Sequence, residues 1–479
     1  MASRHLLFCA LQLFYVGYPP LLALYNSFPF VSEALTFYLC MEGIEEMQVS
    51  ESAKTIYAHY QHQGGVTTDS RKVKEGAIFF GLSGEHVNGG IYAQEVLNKG
   101  AALAVTDMEA LASSPRVVVV PDVRRTLAEV AWLHRQTLRC PILGVTGTNG
   151  KTTTKELLRT VLATHYKVSA TEGNFNNDIG VPLTLLAIPP DCEFAIIEMG
   201  ANHPGEIATL CEIAEPTHGL ITSVGAAHLE GFGSIEGVAK TKSELFAFLK
   251  EHDAVTFVRE DDVQISNVAT QLHLGCLAIP YSLTAYKMST RTEADGTLSY
   301  SLEINKRAYN GRTQLVGAFN AINILAALHV GYYFNVPIDE GIQAIAAYSP
   351  QLNRSQLVEG RRNKLVADCY NANPTSMRLA IDSFMEIPSP SHRLLILGEM
   401  KELGTLSVDA HRAIQEQVAS FSGIEVWYVG KNWERREGAL FFNDVTDCAR
   451  HIALIHYANS LILLKGSHSV GLEQLIDAL

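Results

Sequence analysis

The 479-residue chain reads as an α/β protein in three domains. Three features carry that reading. Short apolar runs alternate with helix-period segments from about residue 139 onward, the pattern of a mostly parallel sheet covered on both faces. A Gly-rich turn joins one of these strands to a helix at residues 144–153. A second alternation after Pro350 resembles a Rossmann-like sheet. The expected units are 47–138, 139–347 with a central P-loop, and 348–479, preceded by an apolar extension over 1–46.

The extension carries two formal charges within residues 1–40, Arg4 and Glu33. Leu6–Tyr18 is nearly all apolar, shorter than the ~18–20 residues that span a bilayer. Pro19, Pro20 and Pro29 interrupt its continuation. Arg4 and His5 ahead of an apolar run allow a signal peptide, but no small-residue cleavage site follows. Met41 and Met47 offer later starts, so the segment is expected to be dispensable, with no stable membrane insertion.

Between Gly65 and Leu138, Val117–Val120 reads as a strand and Thr126–Arg135 as a helix. Ile142–Thr146 is then a strand, Thr152–His165 a helix, and Phe194–Glu198 and Gly219–Val224 strands. Gly317–Val330 reads as an apolar helix. In the last unit Lys364–Asp368, Arg393–Leu397, Glu425–Val429 and Ser460–Leu464 are predicted strands. Met377–Phe384, Ala410–Ala419 and Val470–Ala478 are predicted helices.

Lys and Arg number 37 against 50 Asp and Glu, a net charge of −13. Bulk charge of that sign does not hold a nucleic acid, so bound anions need local sites. The eight cysteines include no CxxC pair. Zinc-ribbon and redox motifs and a disulfide framework are therefore not indicated, and reduced thiols are expected.

The segment GVTGTNGKTT at 144–153 follows a strand and opens a helix. Backbone N–H groups of Gly147, Thr148, Asn149, Gly150 and Thr153, with the helix N-terminus behind them, suit phosphate oxygens. Lys151 reaches the β- and γ-phosphates in such a loop, and the Thr152 hydroxyl suits Mg²⁺. Val145 stands where the strict GxxxxGK[ST] pattern has its first Gly. Glu198 ends an apolar strand, and strand C-termini in open α/β sheets face the ligand crevice, so it is a candidate Mg²⁺ ligand. TKSE at 241–244 nearly matches a guanine-reading motif, but Glu244 replaces its Asp and no DxxG switch accompanies it.

Residues 144–153, EMGANHPG from Glu198, HLE from His228 and KSE from Lys242 together resemble the Mur ligases of bacterial cell-wall synthesis. DCYNANPTSM at 368–377, LGEMKELG at 397–404 followed by His411, and KGS at 465–467 resemble the member that adds a dipeptide. TDSR at 68–71 and FFGLSG at 79–84 resemble its uridine-nucleotide domain. The resemblance spans about residues 65–479.

It implies an ATP-dependent amide ligase that joins D-alanyl-D-alanine to UDP-N-acetylmuramoyl-tripeptide through an acyl phosphate. The implied setting is the cytoplasm, the implied state a monomer, and no nucleic acid takes part. Two Mg²⁺ ions are implied, with Thr152 and Glu198 serving one and His228 and a carbamylated Lys242 the other. Catalysis would rest on Lys151, Glu198, His228 and Lys242. Asn320, Asn323, Arg354 and Asp368 would contact adenine, ribose or phosphates. Ser70, Arg71, Asn174, Asn176 and Asn177 would serve the nucleotide-linked substrate, and Tyr370, Asn371, Asn373 and Ser467 the dipeptide. Phe319 stands where the family has His, Asn88–Gly90 where it has DGH, and His468 where it has Arg. Three other readings remain: a sister ligase adding diaminopimelate or lysine, a folylpolyglutamate synthase, which lacks the uridine domain, and a P-loop regulatory protein without ligase activity.

Overall fold

The computed structural model describes residues 47–60, 64–84, 87–227, 229–350, 354–388, 392–455 and 457–479. The apolar extension and His228 lie outside them. The described strands form three sheets.

The first sheet is parallel, in the order β1 (Val66–Thr67), β2 (Ile78–Phe80), β3 (Leu103–Thr106) and β4 (Val117–Val119). The helix Val123–Arg135 follows, with Asp122 at its N-cap accepting from the Arg125 N–H at 3.0 Å. Its buried Leu127 and Val130 join Ile78, Phe80 and Val105 to Val181, Leu185 and Ile197 of the next unit in one core. The first unit is therefore packed onto the second by apolar contact.

The second sheet comprises β5 (Ile142–Thr146), β6 (Val168–Ala170), β7 (Phe194–Glu198), β8 (His218–Ile221), β9 (Val255–Arg259) and β10 (Ala278–Tyr281). Its order is β10-β9-β8-β5-β7-β6, parallel at every pairing. All five residues of β5 and of β7 are buried, as expected for strands covered on both faces. Strand β5 lies between β7 and β8, so the chain runs outward on either side of it. That is the switch point at which the C-terminal strand ends open a crevice. The helix Lys151–Leu162 packs Leu157 and Val161 against Ile324 and Leu328 of the helix Ala321–Tyr333.

The third sheet begins with an antiparallel meander, β11 (Ser289–Thr292), β12 (Thr297–Ile304) and β13 (Arg307–Val316). It continues through β14 (Gln356–Glu359) and β15 (Lys364–Asp368). Beyond β15 it is parallel, with β16 (His392–Gly398), β17 (Ile424–Val429), β18 (Leu440–Phe442) and β19 (Ser460–Lys465) in the order β15-β19-β16-β17-β18. The sheet crosses residue 348 because Leu315 pairs with Gln356. The meander is thus an antiparallel bridge that the apolar-run pattern did not suggest.

Several elements differ from expectation. The strand expected over Gly219–Val224 stops at Ile221, because Thr222 and Ser223 turn their hydroxyls onto the Asn149 carbonyl. The helix expected from Gly317 starts at Ala321, after a short 3-10 turn entered at Gly317 with φ +94°. No α-helix covers Val470–Ala478; two 3-10 turns, His468–Val470 and Leu472–Leu475, meet at Gly471 with φ +76°. The helix Ile235–Glu251 carrying Lys242 is longer than any the sequence pattern marked.

Candidate active site

The C-terminal ends of β5, β7 and β8 form one wall of a cleft of about 960 Å³, and the loop after β15 forms another. Its lining includes the whole 147–153 loop. Gly150 has φ +82°, and a Cβ there would stand 2.7 Å from Asn323 Oδ1. At Gly147, φ +146°, an added Cβ would meet Thr222 Oγ1. Both positions require glycine. The helix Lys151–Leu162 begins at Gly150 with no side-chain cap, so its first N–H groups face the cleft as donors without a side-chain acceptor.

The loop after β8 clasps this turn. Thr148 N–H donates to the Ser223 carbonyl at 2.8 Å, and Asn149 N–H to Ser223 Oγ at 2.9 Å. Lys151 Nζ donates to the Gly147 carbonyl at 2.6 Å. Protein packed around that amine, with Arg354 nearby, pulls its pKa below the usual lysine value although Glu198 opposes the shift.

Glu198, 1% exposed, accepts from Thr152 Oγ1 on one oxygen at 2.9 Å. Its other oxygen accepts from Asn176 Nδ2, also at 2.9 Å. A buried carboxylate beside a hydroxyl and an amide offers hard oxygen donors. Among the described residues no group of three His, Cys, Asp or Glu converges as a metal cluster. Asn177 Oδ1 accepts from Gly180 N–H at 2.9 Å, fixing the turn that carries Asn174 and Asn176 into the cleft.

Lys242, 3% exposed, projects from the helix Ile235–Glu251 with its Nζ 5.4 Å from the Phe232 ring centroid. Burial, then the charge of Lys151, pushes its pKa down to about 7. Glu244, two residues on, accepts from the Gly205 and Ala208 N–H groups at 2.8 and 3.0 Å. The Lys242 helix is thereby tied to the segment after Glu198.

Asn320 and Asn323 line the cleft but bond to each other, Asn323 Nδ2 to Asn320 Oδ1 at 2.9 Å. Thr154 Oγ1 donates to Asn323 Oδ1 at 3.1 Å, joining the pair to the P-loop helix. Phe319 lines the same end.

The opposite wall carries Arg354, Asp368, Tyr370, Asn371 and Asn373. The Arg354 guanidinium carbon lies 3.8 Å from the Tyr370 ring centroid, and the His468 ring stacks on Tyr370 at 5.6 Å and 22°. His468 therefore supplies a flat aromatic face against Tyr370. Arg354 Nε is buried without a hydrogen-bond partner among the described residues. Lys465 Nζ, at the end of β19, lies 3.1 Å from Asp368 Oδ2 and donates to the Asn371 carbonyl at 2.5 Å. Asn373 Nδ2 crosses the cleft to Asn149 Oδ1 at 2.8 Å, joining the two walls.

Two expected site groups lie away from this cleft. Arg71, with its side chain 86% exposed, is held by Asp69 through bonds of 2.9 Å on the first unit. The Ser70 carbonyl accepts from Lys99 Nζ at 3.1 Å. Ser467 is buried, and its Oγ accepts from Lys401 N–H at 3.0 Å. Sequence reasoning passed over Thr222 and Ser223, although the strand-end position that selected Glu198 also marks them. It also gave Lys465 no role within KGS.

Three family profiles cover most of the described chain. A Mur ligase family catalytic-domain profile matches residues 62–139, a Mur ligase middle-domain profile 145–331, and a Mur ligase glutamate-ligase-domain profile 353–468. The chain belongs to the Mur ligase family. This Mur ligase is 32% identical to the UDP-N-acetylmuramoyl-tripeptide–D-alanyl-D-alanine ligase of Escherichia coli, over 86% of this chain and 93% of that one. It is 29% identical to the Bacillus subtilis protein of the same name, over 90% of this chain and 97% of that one. Among solved structures it is similar to a MurF ligase from Thermotoga maritima in complex with ADP, at 26% identity and a TM-score of 0.76, over 86% of this chain and 96% of that one.

Proposed function

We propose that this Mur ligase joins D-alanyl-D-alanine to UDP-N-acetylmuramoyl-tripeptide, using ATP, in peptidoglycan precursor synthesis. The observation that carries the reading is the pairing of the two cleft walls: an uncapped P-loop helix facing the DCYNANPTSM loop, linked by Asn149 and Asn373. The dipeptide-adding relatives match over nearly their whole length, which favours this reading over a single-amino-acid ligase. We further propose the division at residues 139 and 348 as the functional one, with the first unit, including Ser70 and Arg71, receiving the uridine nucleotide. ATP and a UDP-linked substrate assign the reaction to the cytoplasm.

A carboxylate is a poor electrophile, so the tripeptide carboxylate must first take a phosphoryl group from ATP. Its oxygen attacks the γ-phosphorus and ADP leaves. The dipeptide amine then attacks the acyl carbon, loses a proton and expels phosphate. Backbone N–H groups of Gly147 and of Gly150 to Thr153 hold the phosphates, those of Thr148 and Asn149 being taken by Ser223, and Lys151 follows the negative charge of the transferring group. Arg354, with a buried N–H lacking an acceptor, suits the same charge from the opposite wall. Tyr370, Asn371 and Asn373 orient the amine, and wall-to-wall contact excludes water from the acyl phosphate.

The donor set fits Mg²⁺. Thr152 and Glu198 would hold one ion, and the second would fall to His228 and Lys242. Bound Mg²⁺ neutralises charge on the phosphates. Carbamylation needs an unprotonated amine, which adds CO₂ and releases a proton to become an oxygen-donor anion. Burial that brings Lys242 to about 7 makes that amine available at neutral pH.

Phosphate release tests the proposal. Release is expected only when UDP-N-acetylmuramoyl-tripeptide and D-alanyl-D-alanine are both present with ATP. Release without either substrate would indicate a nucleotide-hydrolysing regulatory protein. Release supported by diaminopimelate or lysine in place of the dipeptide would indicate the sister activity.

A further inference from the structure

A short run of stacked side chains leads from the surface of the third unit into the cleft. Its inner end is Arg354, which lines the cleft together with Lys151. The Arg354 guanidinium carbon lies 3.8 Å from the centre of the Tyr370 ring, and its Nε is buried without a hydrogen-bond partner among the described residues. A guanidinium carries N–H donors and no acceptor, so a ring face can orient it and still leave donors for an anion. The outer end is His468, whose ring stacks on Tyr370 at 5.6 Å and 22°. His468 is exposed and is not among the described residues that line the cleft.

The backbone around the stack is fixed at each member. Ser355 N–H, next to Arg354, donates to Asp368 Oδ1 at 3.2 Å. Tyr370 lies between Asp368 and Asn371, and Lys465 Nζ contacts both. Ser467 N–H donates to the Glu399 carbonyl at 3.1 Å, and Gly471 N–H to the His468 carbonyl at 3.0 Å, closing the turn that carries the imidazole. The side chain with most freedom is the long, rotamer-rich arginine, and the Tyr370 ring is what it rests on.

We propose that His468 is a positioning residue for phosphoryl transfer: its ring holds Tyr370, and Tyr370 aims the Arg354 guanidinium at the charge that develops on the γ-phosphoryl group. This rests on the ATP-dependent ligase reading above. The imidazole acts through its flat face, so another aromatic ring can replace it. An interaction made with charge that develops in the transition state acts on the rate of the step and little on substrate binding.

Single-turnover ADP formation from ATP, with saturating UDP-N-acetylmuramoyl-tripeptide and D-alanyl-D-alanine, tests this on the full-length protein. His468→Ala should slow it roughly 10- to 100-fold. The KM values for ATP and the dipeptide should change by less than about threefold. His468→Phe should restore the rate to within about threefold of wild type, because it keeps the stack. In an Arg354→Ala background, His468→Ala should cause no further loss. Circular dichroism checks the fold of each variant, and His468→Gln replaces His468→Ala if the latter does not fold. An unchanged rate in His468→Ala, a rise in the dipeptide KM with ADP formation unaffected, failure of His468→Phe to restore the rate, or a full loss persisting without Arg354 would each overturn the inference alone. Wild-type ADP formation that ignores the tripeptide would overturn the ligase reading and the inference with it.

Discussion

The two walls of the cleft are built alike, from a strand running through a loop into a helix, and they begin their helices in opposite ways. On the P-loop side the helix Lys151–Leu162 starts at a left-handed Gly150 without a side-chain cap. On the facing side the helix Pro374–Glu386 starts with a full capping box: Asn373 Oδ1 accepts from Ser376 N–H at 2.9 Å, and Asn373 N–H donates to Ser376 Oγ at 3.1 Å. Pro374 at the first helical position removes one further donor. The first helix end keeps N–H groups available for an anion. The second caps its Ser376 N–H itself and offers a side-chain amide, which reaches Asn149. Backbone capture of phosphate therefore belongs to one wall, whereas the other brings side chains, Arg354 among them, to the same cleft.

The strongest way to break that contrast is Lys151→Ala. Loss of the P-loop ammonium should reduce ligation by at least ~10³-fold while leaving the fold intact, read by phosphate release and circular dichroism. Near-normal ligation would remove the P-loop assignment.

Lys242→Ala should be nearly inactive and regain activity with short-chain carboxylic acids that replace the carbamate. Its pH behaviour gives an independent check. A folded pKa near 7 against 10.5 unfolded means that the folded chain binds fewer protons between those values. Stability contributed at this site should therefore rise with pH from 7 to 10.5 and be lowest below 7. Lys242→Met should accordingly stabilise the protein more at pH 6 than at pH 10, by an amount of order a few kcal/mol, measured by denaturant unfolding.

Gly150→Ala asks whether the open end needs its backbone geometry. A left-handed alanine costs about 1–2 kcal/mol before the contact with Asn323 Oδ1 is counted. ATP affinity should fall with stability. The smallest effect is expected from Asn373→Ala, which loses the cap at about 1 kcal/mol of stability. A double-mutant cycle with Asn149→Ala in the ligation assay should give a coupling of about 0.5–3 kcal/mol if the amide bridge acts in catalysis.

Much of this contrast was legible in the sequence. GK-T-T after an apolar strand identified the open helix end because phosphate binding needs a few residue types at fixed spacing. Glu198 followed from its position at a strand end. The bridge of β11–β13 was missed because its outer face is polar and its pairing partner, β14, lies beyond residue 348. Asn320 and Asn323 were expected to reach adenine; their hydrogen bonds to each other and to Thr154 depend on helix packing that spacing alone does not reveal. Ser467 likewise meets Lys401, 66 residues away in the chain.

The central claim is activation of the tripeptide carboxylate by phosphoryl transfer. The most direct measurement labels that carboxylate with ¹⁸O and analyses the phosphate released during ligation by mass spectrometry. One ¹⁸O per phosphate is predicted, because the attacking carboxylate oxygen leaves with the phosphoryl group. Phosphate without ¹⁸O, formed at the rate of ligation, would contradict the account.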